Sequence, residues 1–378
     1  MTKPPATTDV AIVGAGPTGL TLAAFLTAGG ADVVLLDKAA GSDGTSRAAV
    51  VHARTLEVLE GIGVSGELVE RGLITPTFTV RDRDRVLMTV SFGGLPTAHP
   101  YTLMIPQSTT EEVLLARLRE LGGQVHRPYE AAGVSQDATG VTVTTATGET
   151  VRARYVVGTD GMHSVVRERS GVAFTGDSYP QSFVLADVAM DWPLPGDEVQ
   201  LFFAAAGLVV VAPLPGGRYR IVATVDDAPE HPDASDLRAL LDARGPQTVP
   251  ARIREVAWSS RFHVHHRIAD HYRAGRIFLA GDAAHVHSPA GGQGMNTGIQ
   301  DAAELARRIL EGTEDDYEAV RRPVAAGVLA MTDRMTRAAT VRNPVARAIR
   351  DTVLTVAGRG GSVRQKLAMS LSELSVDR

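Results

Sequence analysis

Cysteine is absent from this chain. Disulfides, zinc–cysteine sites, thiol catalysis and a cysteine-linked cofactor are thereby excluded. The absence agrees with a reducing cytoplasm, which is the expected location. Lysine is nearly absent too, found only at Lys3, Lys38 and Lys366, so no mid-chain lysine is available as a nucleophile or base. No run approaches the ~18 apolar residues that a membrane span needs. The start, Met-Thr-Lys-Pro-Pro, has no secretory apolar stretch with a cleavage site. Positive charge is not in excess: the formal net charge is −5, which argues against nucleic-acid and anionic-membrane partners, since both need a basic patch. What is present is ordinary for a globular protein: 378 residues, 44% hydrophobic and 21% charged. That is long enough for two or three domains and a large core.

Asp9 to Val13 reads as a short buried parallel strand, followed by a glycine turn at Gly14–Gly19. A helix over Leu20–Thr27 and a second buried strand over Val33–Leu36, closing at Asp37, complete a βαβ unit. Residues 54 to 62 read as helix, and 77 to 91 as a hairpin with Arg81-Asp82-Arg83-Asp84 at its tip. Ser108 is expected to N-cap a helix to Leu121, with Glu111 completing a capping box. Strands are expected at 124–127, 130–136, 140–146 and Tyr155–Thr159. From 181 to 225, long strands broken by Pro and Gly clusters suggest an antiparallel sheet. A short helix at 235–243, a strand at Arg276–Ala280 and a mostly helical region from Gly294 follow. The expected class is α/β. A Rossmann-like cofactor domain (1–75, 102–178, 265–330) carries an inserted antiparallel-sheet substrate domain (76–101, 179–264), and helices follow over 331–378.

The turn Gly14-Ala15-Gly16-Pro17-Thr18-Gly19 fits G-x-G-x-x-G. Its first glycine permits the tight bend, the second lets backbone approach a pyrophosphate, and the third lets helix pack on strand. Amides at the helix start then meet phosphate charge. Asp37, 23 residues after Gly14, lies where an acid holds the adenosine ribose, with Lys38 beside it. The motif alone does not choose between FAD and NAD.

Two distant segments carry that choice. In Arg154-Tyr-Val-Val-Gly-Thr-Asp160-Gly161, a strand ends in Asp-Gly before a helix with Ser164 and Arg167. Read without a ligand, Asp160 is a helix cap. In Arg276-Ile-Phe-Leu-Ala-Gly281-Asp282, a strand delivers Gly-Asp, and the loop Pro289-Ala-Gly291-Gly-Gln-Gly294-Met295-Asn296 opens a helix. Such a helix start offers free amides and about half a positive charge.

As a set, these motifs resemble the single-component FAD-dependent aromatic hydroxylases, the p-hydroxybenzoate hydroxylase-like flavoprotein monooxygenases. The resemblance runs over about residues 8 to 375 and is strongest to the polyketide and rifampicin monooxygenase-like branch. It implies non-covalent FAD, with NADPH or NADH as transient reductant. It implies that Gly14, Gly16 and Gly19 hold the pyrophosphate, Asp37 the ribose, Arg47 the phosphates, Gln107 the ribityl region and Val134 the adenine through its backbone. Asp160 and Gly161 match a segment associated with FAD and NAD(P)H. Gly281 and Asp282 match the ribityl-pyrophosphate segment. Pro289, Gly291, Gly294, Met295 and Asn296 would line the isoalloxazine pyrimidine edge. The chain departs from many relatives in lacking the Trp-Lys pair after Asp301 and in reading Ser288-Pro289 where some have two prolines. It also ends before the thioredoxin-like domain of larger members.

The implied reaction is hydroxylation of an aromatic or polyketide-type phenol with NAD(P)H and O2, through a flavin C4a-hydroperoxide. A helix start is worth up to ~2 kcal/mol to a nearby anion, or about 1.5 pKa units, so the amides of Gly294, Met295 and Asn296 help keep reduced flavin anionic without a lysine. No residue is assigned as acid or base; Pro289 and Arg220 are the nearest to a catalytic assignment. Substrate contacts are expected from Gln200, Phe202, Phe203 and Arg220, and more weakly from His99 and Tyr101. Flavin-dependent halogenation is disfavoured, because Trp192 and Trp258 are unpaired and the mid-chain lysine is missing. A reductase without oxygen insertion and a flavin-bound scaffold protein remain as alternatives. His263, His265 and His266 are read as packing residues rather than a metal site, and His285 and His287 as turn residues lining the cleft. The Arg334–Arg350 stretch reads as one surface helix on the core. The protein is expected to act as a monomer or homodimer.

Overall fold

The computed structural model describes residues 3–41 and 48–375; the expected phosphate contact Arg47 lies outside the described residues. In chain order the helices are α1 (Pro17–Ala28), α2 (Ala53–Glu60), α3 (Ser65–Arg71), α4 (Gln107–Glu120), α5 (Val165–Arg169), α6 (Ala234–Arg244), α7 (Gly294–Glu311), α8 (Tyr317–Ala339), α9 (Pro344–Ala357) and α10 (Gly361–Leu371).

The apolar run Thr7–Val13 is buried from Val10 onward. It pairs in parallel with Thr150–Gly158 on one side and with Val33–Leu36 on the other. Ile277–Leu279 adds in parallel beyond Thr150–Gly158. A parallel sheet needs cover on both faces, and α1, packed against α4 and α7, supplies part of it. The hairpin Ala131–Asp137 and Gly140–Thr145 extends the same eight-stranded sheet through Thr150–Gly158.

The second eight-stranded sheet includes the hairpin Thr77–Asp82 and Arg85–Ser91, and the long strands Phe174–Asp191 and Arg252–Ala269. These two long strands run through the expected boundaries at 178/179 and 264/265, pairing with each other on both sides of them. One face, with Val184, Ala186, Ile221 and Ala223, packs on Leu237 and Leu241 of α6. The other, with Val199, Leu201 and Val210, packs on Ala49, Val50 and Met104. Val50–Val51, Thr102–Met104 and Leu73–Thr75 form a small sheet.

Two local expectations are corrected. Helix α4 starts at Gln107 with Pro106 at the N-cap and no side-chain cap, so Ser108 caps nothing and the capping box does not form. The Arg334–Arg350 stretch spans two helices, and α9 turns Val345, Ile349, Val353 and Val356 to solvent. Among the described residues no helix is long and apolar enough to cross a membrane.

Candidate active site

Gly14 has φ +103°, and a Cβ there would stand 2.5 Å from the Thr159 carbonyl oxygen. A Cβ on Gly19 would stand 1.9 Å from the Gly14 oxygen, whereas one on Gly16 meets nothing within 4 Å. The outer glycines permit backbone contact; the middle one leaves an open flank. Helix α1 has Gly16 as N-cap, Pro17 in its first turn, no side-chain cap and no acid. Its first amides therefore remain for an anion. Asp37 accepts from Ala15 N at 2.6 Å and Ala39 N at 2.8 Å. It ties the turn to the end of Val33–Leu36, and each oxygen keeps a second lone pair for a ribose hydroxyl. Lys38 is exposed.

Thr18 joins this turn to the later segments. A Cβ on Gly281 would meet its Oγ1 at 2.6 Å, and one on Gly298 at 2.5 Å. Thr159 Oγ1 donates to the carbonyls of Val13 and Gly14 at 2.9 and 2.7 Å. Asp160 accepts from Ser164 Oγ at 2.5 Å and Val166 N at 3.2 Å, so its carboxylate caps α5. Burial pushes its pKa up despite these bonds. What Asp160 turns toward the glycine turn is backbone: its Cα would lie 2.8 Å from a Cβ on Gly14. Gly161 follows at φ +81°.

Arg167 had no assigned role from sequence, yet it clips the two late segments together. Its guanidinium donates to Ala283 O at 2.9 Å and Met162 O at 2.8 Å, and lies 3.9 Å from the Phe174 ring centroid. Asp282 is exposed in the short turn Gly281–Ala283. Beneath it, Asp301 accepts from Gly281 N at 3.2 Å, His285 Nε2 at 2.7 Å and Arg321 Nε at 2.7 Å. Burial pushes the Asp301 carboxyl up, but Arg321 and His285 outweigh it and hold it below its usual range. His285 stacks between Tyr272 and His287.

The loop before α7 is held by side chains. Gly291 and Gly292 have φ +83° and +67°, and a Cβ on Gly292 would lie 2.9 Å from Val50 Cβ. Asn296 Oδ1 accepts from His52 N at 2.8 Å, and its Nδ2 donates to Val50 O at 2.9 Å and Gly292 O at 2.8 Å. Its side chain is thus a joint to residues 50–52, and what the helix start presents is backbone amide. Gln107 holds residue 48 from the other side, accepting from Ala48 N at 3.1 Å. Met295 is half-buried against the first core. Val134 is half-buried in its strand opposite Val143. Pro289 is half-buried at the loop's start.

Helix α7 has no side-chain cap and no acid in its first turn. Around its start, His52 Nδ1, His287 Nε2 and Gln293 Oε1 are buried without a protein partner. Such atoms cost about 1–3 kcal/mol each when unmatched. Burial pushes His52 and His287 down to about 4, so both are neutral at neutral pH. Unmatched polar atoms beside a row of free amides fit a planar heterocycle bearing both donors and acceptors. The pyrimidine edge of a flavin is such a group.

Of the expected substrate contacts, two lie on the face toward residues 49–50. The register Ala212–Arg220–Asp187 puts Arg220 there, in two bonds to the Asp187 carboxylate at 2.7 and 2.8 Å. Phe203 lies on that face too, but under the Arg350 guanidinium of α9. Gln200 and Phe202 lie on the opposite face, both fully buried on the α6 side. Gln200 pairs with Val211 there and bonds to Arg81 and Glu198, while Phe202 packs edge-on to Trp192. Tyr101 and His99 bond to each other, and His99 to Glu60. Sequence reasoning missed Phe183, stacked on Phe262 at 5.8 Å, and Leu185 opposite Val222, all on the Arg220 face. Alternation within one strand could not show which face was inward. His263 and His265 bond to Ser182 and Ser178.

Residues 7–332 match the FAD binding domain family. The 6-methylpretetramide 4-monooxygenase of Streptomyces rimosus is 40% identical over 355 residues, covering 89% of this chain and 63% of that protein. A rifampicin monooxygenase of Streptomyces venezuelae is 38% identical, covering 85% of this chain and 69% of that protein. The chain thus spans about two thirds of the length of these relatives. The crystal structure of p-nitrophenol 4-monooxygenase PnpA from Pseudomonas putida superposes with a TM-score of 0.88 at 26% identity, covering 99% of this chain and 100% of that one. With Thr18 of the glycine turn meeting Gly281 and Gly298, these likenesses establish that the chain belongs to the FAD binding domain family of flavoprotein monooxygenases.

Proposed function

We propose that this protein hydroxylates an electron-rich aromatic compound, a phenol or polyketide-type phenolic, using NAD(P)H and O2. It would work as a monomer or homodimer in the cytoplasm. The observation that carries the reading is the uncapped start of α7, ringed by unmatched buried polar atoms. It lies beside Val50, which also packs with Leu201 and Val210 of the second sheet. Bound FAD supplies the redox chemistry, passing electrons from the nicotinamide to oxygen and oxygen to the ring.

The chain's own residues bind, orient and keep dry. Gly14 to Gly19 and the α1 amides hold the pyrophosphate, with Asp37 on the adenosine ribose and Asp282 toward the ribityl-pyrophosphate. The amides of Gly294, Met295 and Asn296 stabilise negative charge at the pyrimidine edge by up to ~2 kcal/mol. Neutral His52 and His287 bring no competing charge there. Phe183, Leu185, Val222 and Phe262 offer an apolar wall that excludes water. The ion pair with Asp187 holds Arg220 rigidly on the same wall.

The test is FAD-loaded protein with NADPH and a panel of phenols under isotopically labelled oxygen gas. Product carrying one labelled oxygen atom, with substrate-stimulated NADPH oxidation, is expected. NADPH oxidation coupled to substrate without oxygen uptake would make the protein a reductase. Neither activity with any phenol would leave a flavin-binding protein.

A further inference from the structure

Residues 371–374, from the last residue of α10 onward, lie across the loop that precedes α7. Gln293 Nε2 uses its hydrogens on Gly291 O and Leu371 O, both at 3.0 Å. Arg54 N, in the first turn of α2, donates to Ser372 O at 3.2 Å. The Leu371 side chain lies 3.5 Å from where a Cβ on Gly291 would stand. One side chain anchors this strap. Glu373 is 4% exposed and sits at φ +59°, a left-handed conformation uncommon outside glycine. Its carboxylate accepts from Thr297 Oγ1 at 3.2 Å and from Gln300 Nε2, both on α7.

We propose that Glu373 is a positioning residue for the flavin cradle. By pinning the strap to α7, it fixes Gln293, and through Gln293 the Gly291–Gly292 turn, against the helix start. The proposal rests on FAD being held at that turn. Thr297 Oγ1 has one hydrogen and two acceptors in reach, Glu373 at 3.2 Å and the Gln293 carbonyl at 3.0 Å. Protonation of Glu373 releases that hydrogen to Gln293, the N-cap of α7, so the strap carries the charge state of one buried acid into the cradle.

Burial pushes the Glu373 carboxyl up to about 7, against Gln300, Arg321 of α8 and Thr297, while Asp301 of α7 adds to the rise. From α2, the Arg54 guanidinium is engaged by Glu57 at 3.0 Å. A carboxyl raised in the folded state favours the protonated form. The strap's contribution is therefore complete below the ordinary glutamate range and is lost as pH rises through about 7.

The experiment titrates FAD into wild type, Glu373→Gln, Glu373→Ala and Gln300→Met, following flavin fluorescence and the visible spectrum. Wild-type affinity should fall several-fold, with a spectral change, between about pH 6 and 8, because ionised Glu373 draws the Thr297 hydrogen away from the Gln293 carbonyl that sets the cradle. Glu373→Gln should stay at the tight, low-pH value throughout. Glu373→Ala should bind about 10-fold more weakly at every pH, with Gln300→Met between it and wild type. The proposal is overturned if wild-type binding and spectrum are flat across that range. It is equally overturned if the Ala and Met variants bind FAD within about two-fold of wild type and merely melt earlier. Should Glu373→Ala fail to fold, the volume-conserving Gln and Met variants decide. Because the readout is FAD binding alone, a wild type that hydroxylates no phenol counts against the proposed activity and leaves these outcomes to judge Glu373.

Discussion

Two glycine-rich stretches approach the cofactor site, and they are built on opposite logics. Gly14–Gly19 is walled by backbone, the Thr159 carbonyl against Gly14 and the Gly14 carbonyl against Gly19, with the nearby Asp37 and Thr159 side chains bonded to it. The loop Pro289–Gln293 is held by side chains: Asn296 and Gln293, with the strap behind them. A backbone wall cannot yield, so the first turn is defined by the absence of a side chain at Gly14 and Gly19. A polar joint is defined by which partners arrive, so the second depends on residues far away in the chain.

The comparison predicts unequal responses to substitution. Gly19→Ala would drive a methyl into the Gly14 carbonyl, where overpacking costs about 3 kcal/mol or more. We expect little soluble protein, and none retaining FAD through gel filtration; a variant with wild-type flavin content would show that the wall can move. Asp301→Asn comes next. Removing one member of a buried ion pair costs about 3–5 kcal/mol, read by denaturant unfolding at neutral pH. The Asp301 carboxyl lies below its usual range in the fold, so its contribution is present above ~pH 4 and is lost as pH falls through the lower folded value. The variant should lack that acid dependence, and parallel pH profiles for the two proteins would refute this. Asn296→Ala should cost the least, about 2 kcal/mol for leaving buried backbone groups unmatched. It should weaken FAD binding while Gly14–Gly19 stays intact. Unchanged flavin affinity would mean that the polar joint does not set the loop.

The same contrast explains what sequence could show. The first turn was legible because its glycines, helix and Asp37 fall within 24 residues, and each is required by local sterics. The parallel strands were legible from their apolar runs. The pairing of His52 with Asn296 spans 244 residues, and Arg167 reaches Ala283 across 116; nothing in either neighbourhood announces its partner. Asp160 was ambiguous between cap and cofactor ligand, and the fold displays its carboxylate as a cap. Gln200 and Phe202 could not be assigned a face from sequence, because alternation within a strand separates two faces without naming them. Register against Val211 and Val209 turns both toward α6.

Thr18 touches the positions of Gly281 and Gly298, and this sets a timetable. At roughly 5–20 residues per second of synthesis, the turn at residues 14–19 emerges well before its partners, by about a quarter of a minute to a minute. Glu373 comes later still. The nascent chain therefore carries half a binding cleft, with its apolar strands still lacking cover, until Gly281 and Gly298 have been made. Free FAD has nothing complete to bind until those later segments arrive, so loading of the cofactor follows their synthesis by necessity.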